Sequence, residues 1–279
     1  MYLNELFALL DEPSRPILDA HSDVPDFILS IMNTVWAFIK WFVFVFMFFT
    51  PVFFGVSKPV SQSMTPTCFT HDILISAQMC YGIKIINFLS TIPIPGLNLI
   101  SWSGTLFEKS LLQYKKPQLG DVIVFRPIFD KESIWCKRIL GCPGDKVQFR
   151  GGILFLNDQP AKMRYLGKYS YVQNEKFYSG DLYEEELSNG VKHQTLYYRG
   201  LGGGDFDNTE PFVIPAGHYF GVGDNRHDSL DSRGFLGVIP EQNIFGRGIL
   251  ILLSNGNLTT LNYKSLKSIR WDKCITWMK

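Results

Sequence analysis

The sequence predicts a mainly β protein, in which a β-barrel-like body with a peripheral β insertion or cap follows one N-terminal transmembrane helix. Residues 27–56 form a continuous apolar run that carries a single charge. Short β-branched and aromatic runs, separated by Gly, Pro, Asn and Asp, recur through the rest of the chain. The 279 residues suffice for one large domain with an insertion.

Composition narrows the classes of function. Lys and Arg number 27 against 26 Asp and Glu, so the net charge of +1 provides no overall field to attract nucleic acid, and a nucleic-acid partner is disfavoured. The five cysteines form no C-x-x-C pair and are odd in number, which argues against a zinc site and against a complete disulfide framework. We therefore expect packing residues or idle thiols, and neither a metal nor a cofactor.

The first element is the predicted transmembrane helix, because about 20 apolar residues in a helix cross a bilayer. A buried core helix is the alternative, but such helices are seldom apolar on every face over so many turns. We expect the hydrocarbon part to begin near Trp41 and to end near Gly55, with Lys40 extending toward one surface.

The residues before this helix identify it as a retained anchor. A cleavable export signal has basic residues before its apolar part, whereas residues 1–26 contain six acids and only one basic residue, Arg15. Basic residues flank the helix on both sides, with Arg15 and Lys40 before it and Lys58 after it. The positive-inside rule therefore leaves the orientation open.

The remaining elements are predicted strands. They lie at 121–125, 133–140, 146–149, 153–156, 211–214, 218–222 and 248–253, and a hairpin turns at Asn157 and Asp158. Between these strands, the polar, Tyr- and Gly-rich sequence from Met163 to Pro211 predicts a peripheral insertion. Its GLGGG at 200–204 precedes no helix and is better explained as a surface hairpin or cap than as a phosphate loop.

These elements divide the chain into four predicted parts. Residues 1–30 form an N-terminal segment and 31–57 the anchor. The β body is made of 58–150 and 212–279, and residues 151–211 form the inserted cap.

Three segments carry residues suited to chemistry. KPVSQSMTPT at 58–67 places two serines directly after the anchor, although such a stretch is by default only a polar stop. SIWCKRIL at 133–140 is an apolar strand with Lys137 and Arg138 in its middle, and neighbouring side chains in a strand point to opposite faces. A lysine aimed inward loses hydration, which lowers its pKa and makes it a base, whereas a surface lysine is the ordinary alternative. GVGDNRHDSLDSRGFLG at 221–237 is denser in charge than a turn requires.

Together these segments resemble bacterial type I signal peptidases, membrane-anchored endopeptidases with a Ser-Lys dyad. The matching text is SQSMTPT at 61–67, DILI at 72–75, YGI at 81–83, GDVIVFR at 120–126, KRILGCPGD at 137–145 and GDNRHDSLDSR at 223–233. The motifs occur in the family's order and cover roughly residues 35–250.

The resemblance implies a role for each matching residue. Ser63 would be the nucleophile and Lys137 the general base, with the Ser63 backbone N–H and the Ser61 hydroxyl forming the oxyanion hole. Ser229 would hydrogen-bond and orient the lysine amine. The implied structural support consists of Asp231, Arg233, Gly223 and Asp224, and the implied substrate pocket includes Cys136 and Val60.

The resemblance also implies the substrate, the partners and the location. Exported preproteins with signal peptides would bind as an added strand near residues 134–136 and 58–60, and would be cut after small residues of the A-x-A type. The body would lie on the periplasmic or outer side of a bacterial inner membrane, attached by a single span and in contact with lipid.

The sequence departs from the family's usual residues at four positions. Val60 replaces a common Pro, Gln62 a Gly, His227 an Asp and Asp228 an Asn. Gln62 brings a long side chain between the two serines, where we expect it to alter the pocket. Alternative functions are a conjugative pilin-processing Ser-Lys peptidase, a self-cleaving repressor and a catalytically inactive membrane-tethered β module.

Overall fold

The computed structural model describes residues 26–59, 61–84, 110–113, 115–130, 133–173, 176–254 and 269–278. Most of the predicted N-terminal segment and Val60 of the predicted pocket lie outside these ranges. The chain divides into two compact units. One contains residues 1–53 and 85–107, and the other contains residues 54–84 and 108–279.

A helix, α1, is formed where the apolar run predicts one. It extends from Asp26 to Phe53, and side chains from Phe27 to Val43 are largely exposed. Among the residues described, no helix has both the length and the apolar character needed to cross a membrane.

The described part of the second unit is formed mainly of strands, which confirms the mainly β prediction. In chain order they are β1 (Phe54–Ser57), β2 (Ile73–Ala77), β3 (Gly82–Lys84), β4 (Ser110–Gln113), β5 (Val122–Phe125), β6 (Trp135–Gly141), β7 (Lys146–Arg150), β8 (Ile153–Leu156), β9 (Gln159–Pro160), β10 (Lys162–Gln173), β11 (Lys176–Glu186), β12 (Lys192–Tyr197), β13 (Phe212–Val213), β14 (His218–Val222), β15 (Ile239–Pro240), β16 (Ile244–Leu253) and β17 (Thr276–Trp277).

The largest sheet contains Cys136 and Lys137, both on β6. Its strand order is β1-β2-β16-β5-β6-β14-β15, with β17 added against β16, and the neighbours pair antiparallel. The register shifts within β14 and β16 bend these strands. The sheet therefore curls into a half-barrel. Its central strand β5 is buried along its whole length, as its unbroken VIVF sequence predicts.

A second sheet, in the order β13-β7-β8-β9, packs on the first. The predicted hairpin between β8 and β9 is confirmed, since Asn157 and Asp158 both have left-handed backbone angles, with φ of 53° and 63°. The apolar cluster between the two sheets includes Leu140, Phe149 and Phe220.

The region from Met163 to Tyr197 is more regular than the sequence predicts. It forms a three-stranded antiparallel sheet, β10-β11-β12, whose first hairpin is the longest in the described chain. From Leu166 to Gln173, exposed residues alternate with less exposed ones along β10. The exposed set includes Leu166 and Val172 while the less exposed set includes Gly167 and Gln173, so the sequence lacks the apolar alternation by which a half-buried strand is recognised. We call this sheet the cap sheet.

All five cysteines are free, in line with the prediction of packing residues or idle thiols. Cys68 is fully buried in an apolar cluster that also contains Met64, Leu74 of β2 and Val124 of β5. Cys68 therefore serves as a small apolar side chain, and Cys80, Cys136 and Cys142 also pack against apolar clusters.

Candidate active site

Ser63 and Lys137 meet inside the half-barrel. Lys137 Nζ lies 2.7 Å from Ser63 Oγ, although 74 residues separate them in sequence. Ser63 lies in the turn that follows β1, where the Thr65 N–H donates to Gln62 O and the Cys68 N–H donates to Met64 O. Lys137 projects from β6. The geometry is that of a nucleophile and a base within hydrogen-bond reach.

Burial makes Lys137 suitable as a base. Its side chain is only 2% exposed, and the loss of hydration lowers its pKa from the usual value near 10.5. The Asp231 carboxylate opposes this shift, but desolvation outweighs it. The amine is therefore neutral more often than that of a surface lysine.

Ser61 and Ser229 line the same cavity as this pair. Ser61 Oγ lies 3.1 Å from Ser63 Oγ. At this distance the Ser61 hydroxyl can reach the carbonyl oxygen of a substrate that Ser63 attacks. The buried Ser229 hydroxyl helps to lower the Asp231 pKa, but it forms no hydrogen bond of normal geometry among the described residues. The expected bond from Ser229 to the Lys137 amine is thus not formed here, and the orienting role of Ser229 stays a prediction.

Asp231 and Arg233 form a fully buried ion pair beneath the site. The Arg233 Nε and Nη2 groups donate to the two Asp231 oxygens at 2.9 Å each, and the Gly223 N–H donates to Oδ2 at 3.1 Å. Burial alone would raise the Asp231 pKa, but Arg233 outweighs it and holds that pKa below its usual range. The structure thus pairs Asp231 with Arg233, and their role as structural support stays a prediction.

Gly223 is needed because two main-chain segments come close together there. A Cβ atom at this position would lie 2.3 Å from Ser63 O and 2.2 Å from Ser229 Oγ. Any side chain would therefore push the loop away from the nucleophile.

Lys137 and Arg138 are both buried, whereas alternation along a strand predicts only one inward cation. Arg138 is 1% exposed on the opposite face of β6, where it donates through Nε and Nη2 to Asp224 at 2.8 Å each. Asp224, expected only as loop support, is the partner of Arg138. Burial alone would raise the pKa of the Asp224 carboxyl, but Arg138 outweighs burial and lowers that pKa. Both faces of β6 are covered at these positions, so the alternation of side chains along the strand does not tell a buried residue from an exposed one.

A cluster of charges to which no sequence motif points joins the cap sheet to the loop at 223–233. Glu185 of β11 accepts from Arg226 and lies 3.1 Å from His193 Nε2 of β12, and all three are buried. Arg226 lowers the pKa of Glu185 although burial acts in the opposite direction. Glu185 is the middle one of three consecutive glutamates, and nothing in that sequence indicates that one of them is buried.

His227 lies at the pocket wall but is occupied on both ring nitrogens. Its Nδ1 accepts from the Arg199 N–H at 3.1 Å, and its Nε2 lies 2.9 Å from Asp207 Oδ2. Asp207 belongs to the segment expected to be a surface hairpin, yet it is fully buried. His227 therefore secures that segment and is not available to Ser63 as a base.

A cavity of about 570 Å³ opens beside the Ser63 and Lys137 pair. Its walls include Ser57, Lys58, Pro59, Ser61, Ser63, Met64, Asp130, Ser133, Ile134, Trp135, Cys136, Lys137, His227, Asp228, Ser229 and Leu230. Cys136 is thus in the wall, as expected, and burial raises the pKa of its thiol to about 12. Gln62 does not line this cavity, so its long side chain does not change the shape of the pocket as we expected from the sequence. In the described ranges, no three His, Cys, Asp or Glu side chains are grouped to hold a metal.

Comparisons with known proteins agree with these motifs. Residues 31–253 match the family described as signal peptidase, peptidase S26. Among curated proteins, signal peptidase I of Rickettsia felis is 30% identical over 198 residues, covering 69% of this chain and 68% of its own, and that of Rickettsia typhi is 31% identical, covering 69% of both. A crystal structure of a signal peptidase I from Enterococcus faecalis is 24% identical, covers 48% of this chain and 98% of its own, and has a TM-score of 0.28.

Proposed function

The chain belongs to the signal peptidase family, peptidase S26, and we propose that Ser63 is the nucleophile and Lys137 the general base of its reaction. It is a serine endopeptidase that removes signal peptides from exported preproteins. The observation that carries the assignment is the distance of 2.7 Å between Lys137 Nζ and Ser63 Oγ at a buried site. No other candidate base among the described residues has such a contact with Ser63.

In the first half of the reaction, Ser63 Oγ attacks the carbonyl carbon of the residue before the cut while its proton passes to the neutral Lys137 amine. The carbonyl oxygen becomes an oxyanion, which the Ser61 hydroxyl and the Ser63 N–H stabilise by donating hydrogen bonds. Lys137, now an ammonium group, returns its proton to the nitrogen of the leaving chain. The peptide bond breaks, and an ester joins the signal peptide to Ser63.

In the second half, water hydrolyses this ester. Lys137 takes a proton from the attacking water and later gives it to Ser63 Oγ, so enzyme and amine both return to their starting states. Asp231 and Arg233 hold the loop beneath Lys137 and take no proton. Ser229 turns its hydroxyl to the amine when the substrate is bound.

The substrate lies extended along an open edge of β6. On one side, Trp135, Cys136 and Lys137 pair with β5. On the other side, β14 pairs only from Arg138 onward, and no strand of the described chain occupies the edge before that residue. A peptide added there would pass Ser63, between β6 and the segment at 57–59 that forms the opposite wall.

Specificity for small residues comes from the walls of this cavity. Cys136 of β6 and Ile134 just before it are two residues apart, so they face the same side of the extended segment, and both line the cavity. Val60 is the remaining residue proposed for the pocket. Side chains of this size leave shallow pockets that accept methyl-sized groups and exclude larger ones, as A-x-A cut sites require.

The second partner is membrane lipid, which contacts an apolar rim beside the cavity. Phe129 and Phe235 are 49% and 70% exposed and pack together with ring centroids 5.1 Å apart, and Phe129 also contacts Trp135. Ile134 and Leu230 continue the rim into the cavity wall. An exposed apolar patch at the mouth of a site is typical of a surface that contacts lipid.

The placement in the cell follows from the substrate. Residues 31–57 anchor the chain by a single span in the inner membrane of a bacterium. The first 30 residues lie in the cytoplasm, and the body lies on the outer side, where cut sites emerge. Support comes from the sequence, which has only Lys40 as a charge between Phe27 and Val56. The body is made of 58–150 and 212–279, and the cap is made of 151–211.

The direct test is cleavage of an exported preprotein by the full chain in detergent, with mass spectrometry of both products. We expect a single cut after an A-x-A sequence. The Ser63→Ala variant should be inactive, and Lys137→Arg should also be inactive, because a guanidinium keeps the charge but does not accept a proton. Normal turnover by Lys137→Arg would refute the assignment of the base.

A further inference from the structure

The segment that carries the nucleophile is tied to the cap sheet by a closed ring of hydrogen bonds. The Tyr171 hydroxyl donates to Gln62 Oε1 at 2.8 Å, and it lies 2.6 Å from the Tyr198 hydroxyl. Asn225 Nδ2 donates both to Tyr198 Oη at 2.9 Å and to Gln62 O at 3.1 Å. The ring thus begins and ends on Gln62, through its side chain and through its carbonyl.

The direction of each bond in this ring is determined. The single Tyr171 hydrogen goes to Gln62 Oε1, so Tyr198 supplies the hydrogen between the two hydroxyls while it accepts from Asn225 Nδ2. The Asn225 backbone N–H also donates to Ser63 O at 3.0 Å. The carbonyl groups before and after the Ser63 Cα atom are therefore both held by Asn225.

Packing fixes the two tyrosines. Tyr171 stacks on Tyr178 with centroids 5.1 Å apart and meets Phe69 edge to face at 5.3 Å. The strand that precedes Tyr198 is joined to the loop that carries Asn225, because the Leu196 N–H donates to Asp224 O and the Arg226 N–H donates to Leu196 O. The hydroxyls are thus placed by a sheet and not by a mobile side chain.

We propose that Tyr171, acting through Gln62, is a positioning residue of the cap sheet that holds Ser63 Oγ against Lys137. The proposal rests on the proposed function, since it assumes that Ser63 is the nucleophile. A small displacement of a reacting group lowers the chemical rate strongly, whereas substrate binding on the β6 edge does not involve Gln62.

The test uses the full chain in detergent with a peptide that contains an A-x-A cut site. Tyr171→Phe removes one hydroxyl and keeps the packed ring, and Gln62→Met keeps the side-chain length without the acceptor. The matched control is Tyr183→Phe, which makes the same change on the same sheet, where the ring contacts Tyr165 and Tyr197 instead. Each variant is measured for kcat, KM and melting temperature.

We expect kcat to fall about fivefold to tenfold in Tyr171→Phe and in Gln62→Met, with KM within about twofold of the parent value. The double variant should lose no more than either single variant, because both changes remove the same hydrogen bond. A purely structural role would instead lower the melting temperature and leave kcat at the value of Tyr183→Phe.

The proposal is overturned if Tyr171→Phe keeps the kcat of Tyr183→Phe, if KM changes in place of kcat, or if the two losses multiply. These outcomes leave Ser63→Ala inactive and the proposed function intact. Cleavage by Ser63→Ala would overturn both together.

Discussion

Replacing Asp231 by alanine tests whether the buried pair beneath the site supports structure or takes part in chemistry. The Asp231 carboxylate accepts four hydrogen bonds, three from Arg233 and one from Gly223, and both charged side chains are fully buried. Removing it leaves the Arg233 guanidinium without its main partner. The nearest remaining carboxylate is Asp207, at 3.9 Å and already engaged by His227.

Breaking a buried ion pair costs about 3 to 5 kcal/mol, and Asp207 offsets part of this. We therefore expect a loss of about 3 kcal/mol, equivalent to a fall in melting temperature of roughly 6 to 12 °C in a protein of this size. Because the folded-state pKa of Asp231 is depressed, this stability is present above the unfolded-state pKa near 3.9 and is lost as the pH falls through the folded value. The difference between parent and variant should narrow below about pH 4.

The assay is thermal unfolding of the full chain in detergent between pH 3 and pH 8, with cleavage measured on the same samples. Glu184→Ala is the control, because its partner Arg164 is 68% exposed and such pairs contribute about 1 kcal/mol or less. An inactive Asp231→Ala variant with an unchanged melting temperature would refute the reasoning and make Asp231 a direct participant in catalysis.

Three other results follow from the site. The kcat/KM value should rise with pH through the depressed pKa of Lys137, and His227→Ala should leave this rise in place; its disappearance would point to His227 as the base. Cys136→Phe should abolish cleavage after A-x-A by filling the pocket, while unchanged cleavage would place the pocket elsewhere. Protease added to spheroplasts should digest the body and spare residues 1 to about 35, and protection of the body would reverse the topology.

Local sequence determined a large part of this protein. Apolar periodicity and turn residues predict helix α1, the central strands and the hairpin at Asn157, because these features depend on neighbours in the chain. The resemblance pointed to Ser63 and Lys137 through motifs, and the structure places those two side chains together.

The contacts between residues far apart in the sequence were decided by the tertiary structure alone. Burial of both Lys137 and Arg138, the pairing of Arg138 with Asp224, and the engagement of His227 by Asp207 each join residues from different strands or loops. A peripheral cap was predicted, but its regular three-stranded sheet was not, because glycine and polar residues stand among the less exposed positions of β10. Gln62 contacts Tyr171 of that sheet and does not line the pocket. Residue patterns report local periodicity, whereas the partner of a buried polar group is set by which surfaces exclude water together in the folded chain.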